Sequence, residues 1–513
     1  MEQLNSTTLG VTVGGAYMSA LAFADDILLL SDSFEGIQAL VRHTEDYFQN
    51  MDRLINPSKS QYFRLRVNHY THGFHYDLPL LQFSTSSLQS ITPNRPIKYL
   101  GLDFVVNKNS DVNPRKAACL LDLIASASLR PFQKLQCIRQ LIIPADLYTT
   151  SNTLQVENEA FRHDKSIGIR VKELLHLPKS LPNSHLWLPS RSGGLGLLQL
   201  ARAAQAVQFK SFCRLLRLND LAVNFLFDEV LVKNHKRIAS VFQVPEGVSE
   251  SKEVDAALKI GVARWFQDIK NQYSNKDIIL TKTKDNSHMP TLGFIPTVKF
   301  LSDGDRNKVL RLRTNRAPTR TLSNRHASDP AARSCRRCAE RPETALHILK
   351  ECESVSLDSQ ERHNFVARQV ARICREKNPG GLVVEEKVYT SPGGVRLKPD
   401  TLLEVDERVV IVDVAITWDS NKGILKQKCR EEVEKYSVLQ TFFPGRVVSF
   451  RGMAFGARSM LCRETMQAGK EVGLLPRDMS WLSACVVRGS LITMQRFTRR
   501  VLGRGAPELT FIL

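Results

Sequence analysis

Three groups of residues have types and spacings that could do chemistry. The first, Cys335-x2-Cys338-x8-His347-x4-Cys352, supplies three thiolates and one imidazole. That set suits a closed tetrahedral zinc site, which stabilises a small fold and leaves no open position for a substrate. The plain alternative is three buried thiols beside an unrelated histidine. In the second, Phe23-Ala24-Asp25-Asp26 lies between two apolar runs. A tight hairpin there would present adjacent carboxylates to divalent cations for phosphoryl transfer, whereas a bare Asp-Asp turn is often only solvated. The third is Lys398-Pro399-Asp400, followed by an apolar strand that carries Asp413. Two carboxylates thirteen residues apart fit a strand–turn–strand that brings both to one metal, with a nearby lysine to stabilise charge on a phosphate. Pro-Asp pairs and strand-end aspartates are common, so this pattern is weak alone.

The elements that must position these groups follow from periodicity. An apolar run to Phe23 and the run Ile27 to Leu30 predict a β-hairpin with its turn at Asp25-Asp26. Ile37, Leu40, Val41 and Phe48 share one face of a helix predicted from Phe34 to Met51. Residues 112–216 read as helix-rich and broken by prolines, and 217–300 carry no readable motif. The basic stretch Arg306, Lys308, Arg311, Arg313, Arg316, Arg320 and Arg325 could line a helix or arm that grips phosphates without reading sequence; a solvated helix face is the alternative. The last 150 residues alternate strands, such as Arg408 to Val414, with helices, such as Leu425 to Leu439. Glu404 is a further candidate metal ligand, although Asp406 and Glu407 beside it favour a solvated loop, and His363 is expected to be structural rather than a ligand.

Composition limits the function classes. Lys and Arg number 71 against 52 Asp and Glu in 513 residues, a net charge of +19. Such a balance points to a polyanionic partner, most often nucleic acid. No run reaches the roughly 18 apolar residues of a spanning helix. Glu2, Asn5, Ser6 and Thr7 interrupt any signal-peptide layout, so an intracellular protein with no membrane partner is expected. Ten cysteines are too sparse for a disulfide scaffold. The length suggests about three domains.

Further motifs follow the Asp-Asp box in order: Leu54-Ile-Asn-Pro-Ser-Lys59-Ser60, Lys98-Tyr-Leu-Gly101-Leu102 and Arg191-Ser-Gly-Gly-Leu-Gly-Leu197. This order resembles the palm and thumb of reverse transcriptases from non-LTR retrotransposons. The arginine-rich segment and cysteine knuckle that come next resemble the restriction-like-endonuclease branch of that family, which includes elements inserting into ribosomal RNA genes. The resemblance spans nearly the whole chain and is weakest between 217 and 300.

It implies an α/β multidomain chain: a partial polymerase palm (1–105), a helical thumb (106–215), a helical and basic linker (216–330), a zinc knuckle (331–360) and a restriction-endonuclease-like domain (361–513). It implies two of three catalytic carboxylates at Asp25 and Asp26, a nucleic-acid contact at Lys59 and a primer grip at Tyr99-Leu100-Gly101. The family's third aspartate lies upstream of the hairpin, and the 24 residues before Asp25 contain none. No polymerase activity is therefore expected of this chain alone. In the endonuclease, Asp400 and Asp413 would hold Mg²⁺ (or Mn²⁺), with Lys428 or Lys435 as basic partner and Tyr436 closing the motif. Glu431 and Glu432 stand where another lysine is expected. The implied activity is nicking of target DNA for target-primed reverse transcription of the element's RNA, in the nucleus. Two alternatives stand beside it: a catalytically dead or co-opted zinc-containing DNA/RNA-binding protein, and a subunit whose fingers come from another chain.

Overall fold

The computed structural model describes residues 8–68, 73–77, 79–84, 86–92, 95–104, 114–152, 156–189, 194–273, 301–391, 393–419 and 423–502. They form a mixed α/β protein whose chain divides into two compact units. One comprises Met1–Ser126, Cys137–Ser166 and Leu198–Arg264; the other comprises Ala127–Gln136, Ile167–Leu197 and Trp265–Leu513.

Among its described residues the first unit contains five antiparallel hairpins: β1/β2 (Val11–Val13, Ala16–Met18), β3/β4 (Ala20–Phe23, Asp26–Leu29), β5/β6 (Arg64–Asn68, Gly73–Asp77), β7/β8 (Leu80–Gln82, Ser87–Gln89) and β9/β10 (Ile97–Tyr99, Leu102–Phe104). The helix Phe34–Gln49 starts at Ser33, whose hydroxyl accepts from Gly36 N, and buries Leu40 and Val41. It ends two residues before the expected Met51. Helical packing fills the rest. The Asp164 carboxylate accepts hydrogen bonds from Leu200 N and Ala201 N, closing the first turn of the helix Leu200–Leu215. Among its described residues, the stretch without a readable motif supplies three α-helices, Leu221–Leu226, Val232–Phe242 and Ser251–Tyr273. Phe209, Phe212, Phe227, Ile238 and Phe242 form the core beneath them.

The second unit is built on a four-stranded sheet in the order β11-β14-β15-β16, with β11 Leu382–Glu385, β14 Thr401–Val405, β15 Arg408–Thr417 and β16 Val447–Gly456. A small hairpin, β12/β13 (Tyr389–Thr390, Arg396–Leu397), precedes β14. The β11/β14 and β14/β15 pairs are antiparallel, while β15 and β16 are parallel. Parallel strands need a crossover, and the helix Ile424–Tyr436 provides it. Because β15 is covered on both faces, it reads as a near-continuous apolar run. Val410, Val412 and Val414 face a core shared with the helices Ser356–Lys377 and Pro476–Val501. Val409 and Ile411 face Tyr436 and Leu439 on the other side. The period of two places Asp413 on that second face, under the helix Ile424–Tyr436.

Candidate functional site

Thr401 of β14 pairs with Val412 of β15, so Asp400 and Asp413 stand side by side at the end of the β14/β15 ladder. Asp400 is held there by its backbone surroundings: its Oδ2 accepts from Val414 N at 2.8 Å. Asp413 is only 6% exposed, an unusual place for a carboxylate and a signal of function. Burial, with the neighbouring Asp400 charge, pushes its pKa up to about 7.

The helix Ile424–Tyr436 brings four polar side chains over this pair. Lys435 Nζ lies 3.9 Å from Asp413 Oδ2 and 3.3 Å from Glu432 Oε2. Lys428 Nζ lies 2.8 Å from Glu432 Oε1. Tyr436 donates its hydroxyl to the Lys398 carbonyl at 3.0 Å and also reaches Asp413; burial raises its pKa. The helix can come this close because Gly452, opposite Asp413 in the β15/β16 register, has no side chain. A Cβ at Gly452 would press on the Cys429 carbonyl and lie 2.8 Å from its Cα.

Glu432, one turn before Tyr436, is buried. Burial would raise its pKa, but hydrogen bonds from Lys428 and Asp413 and the charge of Lys435 hold it below the usual range. The position where a lysine was expected therefore holds an inward carboxylate clamped between two lysines. The site gathers three carboxylates and two ammonium groups. Their oxygens are hard donors of the kind that bind Mg²⁺, and a cation there would offset the burial and the Asp400 charge that raise the pKa of Asp413.

His363 belongs to this site, although its sequence context suggested a structural role. It projects from the helix Ser356–Lys377, donates Nε2–H to the Val414 carbonyl at 2.6 Å and sits 3.4 Å from Asp400 Oδ2. The hydrogen bond to Asp400, working against burial, raises its pKa to about 9. Glu404 lies in β14 rather than in a solvated loop, 2.8 Å from Arg446 Nη1.

A second cluster lies at Cys335, Cys338, His347 and Cys352, whose ligand atoms are all within 4.8 Å of one another. Cys335 and Cys338 flank a tight turn, and a single π-helical turn, His347–Glu351, presents His347 and then Cys352. The Cys335 and Cys352 sulfurs are 3.9 Å apart, and Cys338 Sγ is 3.3 Å from His347 Nε2. Zinc–sulfur bonds of about 2.3 Å place tetrahedral sulfurs roughly 3.8 Å apart, so the spacing fits zinc. Arg336, clamped on the buried Glu343 at 2.7 Å, fixes the turn between the first two cysteines.

The basic stretch does not form one continuous face. Lys308 and Arg325 are exposed, and Arg316 and Arg320 are half-buried. Arg306 is half-buried, pairs with Asp303 and lies over Phe132. Arg311 caps the His176 carbonyl. Arg313 departs from the expectation: it is 2% exposed, with all three guanidinium nitrogens lacking a hydrogen-bond partner among the described residues, and no phosphate can reach it. It shares a face of the helix Asp303–Arg313 with buried Val309 and Leu310, four and three residues earlier.

In the first unit the register Phe23↔Asp26 moves the expected turn back by one residue, to Ala24-Asp25, with Ala24 at a left-handed φ of 52°. Asp25 and Asp26 are exposed, and among the described residues β3 and β4 form a two-stranded sheet. Lys59 is exposed in a short turn whose first residue, Asn56, caps Ser58 N. Leu100-Gly101 forms the β9/β10 turn, and Tyr148 donates to the Leu100 carbonyl at 2.6 Å. Of the motif at 191–197, residues 191–193 lie outside the described residues; Leu195 and Leu197 are buried against the Ser184–Trp187 turn.

No family model matches the chain. The chain is 25% identical over 508 residues, 95% of its length, to a retrovirus-related Pol polyprotein from the type-1 retrotransposable element R2 of Popillia japonica, which it covers in full. A second Popillia japonica R2 polyprotein is 25% identical over 97% of the chain and is covered to 68%. The R2DM polyprotein of Drosophila melanogaster is 24% identical over 95% of the chain, which spans 46% of it. Over nearly its whole length, then, the chain is homologous to R2 non-LTR retrotransposon Pol polyproteins, as its ordered motifs implied.

Proposed function

We propose that this homologue of R2 Pol polyproteins is a nucleic-acid-binding, metal-dependent DNA endonuclease joined to part of a reverse transcriptase, and that it nicks target DNA to prime copying of the element's RNA. The observation that carries the reading is the buried Asp413 beside Asp400, with Lys435 on the helix above them. In this reading 1–105 is a partial palm, 106–215 a thumb, 331–360 a zinc knuckle and 361–513 a restriction-like endonuclease, and the work takes place in the nucleus.

Asp400 and Asp413, with Glu432 beside them, would hold Mg²⁺, which supplies positive charge at the scissile phosphate and lowers the pKa of a bound water. Lys435 sits where an ammonium can stabilise charge developing on the phosphate. Tyr436 and His363 fix Asp413 and Asp400 in place by hydrogen bonding. Cys335, Cys338, His347 and Cys352 would hold zinc as a structural cross-link. Asp25 and Asp26 supply two carboxylates on a solvent-exposed hairpin, and the polymerase site is proposed to be incomplete within this chain.

The test is Mg²⁺-dependent nicking of supercoiled plasmid by the wild type and Asp413→Ala. Nicking by the wild type alone supports the reading. Glu432, occupying the place of the expected lysine, favours the second reading, a zinc-containing binding protein without cleavage. DNA binding with no nicking by either protein would select it.

A further inference from the structure

Within the second unit a cavity of about 550 Å³ is lined by Ile169, Lys172, Glu173, His176, Leu177, Lys179 and Arg311. Its rim is made by the end of the helix Val156–Leu174. Leu177 N returns to the Lys172 carbonyl and His176 N to the Glu173 carbonyl, with His176 at a left-handed φ of 49°. That is a Schellman-type end, and it leaves the His176 carbonyl facing outward from the helix. Arg311 donates Nε to this carbonyl at 2.9 Å, and Nη2 donates to it as well. The guanidinium is thereby anchored with three of its five N–H donors uncommitted to that carbonyl.

Lys172 is the unusual member. It is 8% exposed, and its ammonium donates to the Lys179 carbonyl at 3.3 Å. Burial lowers its pKa, and no carboxylate compensates it among the described residues. The one acidic lining residue, Glu173, is 3.2 Å from Arg170, which does not line the cavity. Helix-end carbonyls account for one or two cations here. They do not account for Lys172, Lys179 and Arg311 converging on one hollow around an apolar floor of Ile169 and Leu177. A buried ammonium without a counter-charge is costly, and an anion from outside would offset that cost.

We infer that this cavity is a nucleic-acid phosphate subsite, separate from the Asp400/Asp413 centre, in which Lys172, Lys179 and Arg311 take a backbone phosphate while Ile169 and Leu177 contact the adjoining sugar. The inference rests on the reading that the chain binds nucleic acid. It needs no cleavage. A phosphodiester from DNA or from RNA satisfies the same donors, and the two are separated by experiment.

The measurement is the salt dependence of binding by the full chain to a duplex DNA and to a single-stranded RNA. Each phosphate contact contributes a slope of about 0.9 in log K against log salt for duplex DNA and about 0.7 for a single strand. Lys179→Ala, at an exposed position, should lower the slope by about that amount on the polymer that occupies the cavity. Lys172→Met should do the same while keeping the side-chain volume. Lys470→Ala, outside the cavity, should leave the slope unchanged; circular dichroism checks folding of each variant. Wild-type slopes for both Lys179→Ala and Lys172→Met on both polymers would overturn the subsite and leave nucleic-acid binding intact. Failure of the wild type to bind either polymer would remove the parent reading and the subsite together.

Discussion

Replacing Gly452 with alanine drives a methyl group into the helix that holds Lys428, Glu432, Lys435 and Tyr436. The new Cβ would lie 2.8 Å from Cys429 Cα and 2.9 Å from its carbonyl carbon. These are backbone atoms and no rotamer change relieves them. Comfortable carbon contacts begin near 3.5 Å, so the helix must retreat by roughly 0.7 Å. Overpacking of this kind costs about 1–3 kcal/mol. For a unit of this size that is a fall in melting temperature of about 2–12 °C. The helix also carries Lys435, 3.9 Å from Asp413, so its retreat opens the centre. A 1 Å misplacement in a catalytic constellation costs about 100-fold, so nicking should fall by tens of fold. Thermal unfolding followed by circular dichroism, beside plasmid nicking, reads both effects. A Gly452→Ala protein that melts within about 1 °C of wild type and nicks at the wild-type rate would refute the claim that this glycine sets the helix position.

Other perturbations bear on separate parts of the account. Arg313→Met replaces a buried guanidinium that has no hydrogen-bond partner among the described residues with an apolar side chain of similar length, and should raise stability by about 1 kcal/mol or more in urea unfolding; a lower midpoint would show that the Asp419 charge compensates it. Metal analysis should find one zinc per chain, lost in Cys338→Ser with a lower melting temperature; zinc retained at wild-type level would reject the cluster as the binding site. The folded-state pKa of His363 is raised to about 9 by Asp400, above its unfolded value, so its contribution is full below about pH 6.5 and disappears as pH rises through 9. In chelator, the stability difference between wild type and His363→Ala should shrink across that window, and a constant difference would exclude the pairing.

How much of this was legible in the sequence depended on how local each signal is. The cysteine knuckle is written in spacing over eighteen residues, and its four ligands do converge. Asp400 and Asp413 follow from strand periodicity, since a carboxylate inside an apolar run stands out. His363 was passed over because its partner is 37 residues away and the two meet only when the helix Ser356–Lys377 packs on the sheet. The inward turn of Glu432 has a similar cause: its burial depends on Gly452 letting the helix approach β16. Arg313 could have been found, because Val309 and Leu310 mark its helix face as apolar. A count of basic residues treats all seven alike, and the fold does not.

The most direct test of the central claim remains Mg²⁺-dependent nicking of supercoiled plasmid by wild type and Asp413→Ala, with duplex binding measured on the same preparations. The account predicts nicked circles from the wild type, none from Asp413→Ala, and equal binding by both. Equal nicking by the two proteins, or binding without nicking by either, would contradict Asp413 as the centre of a working endonuclease.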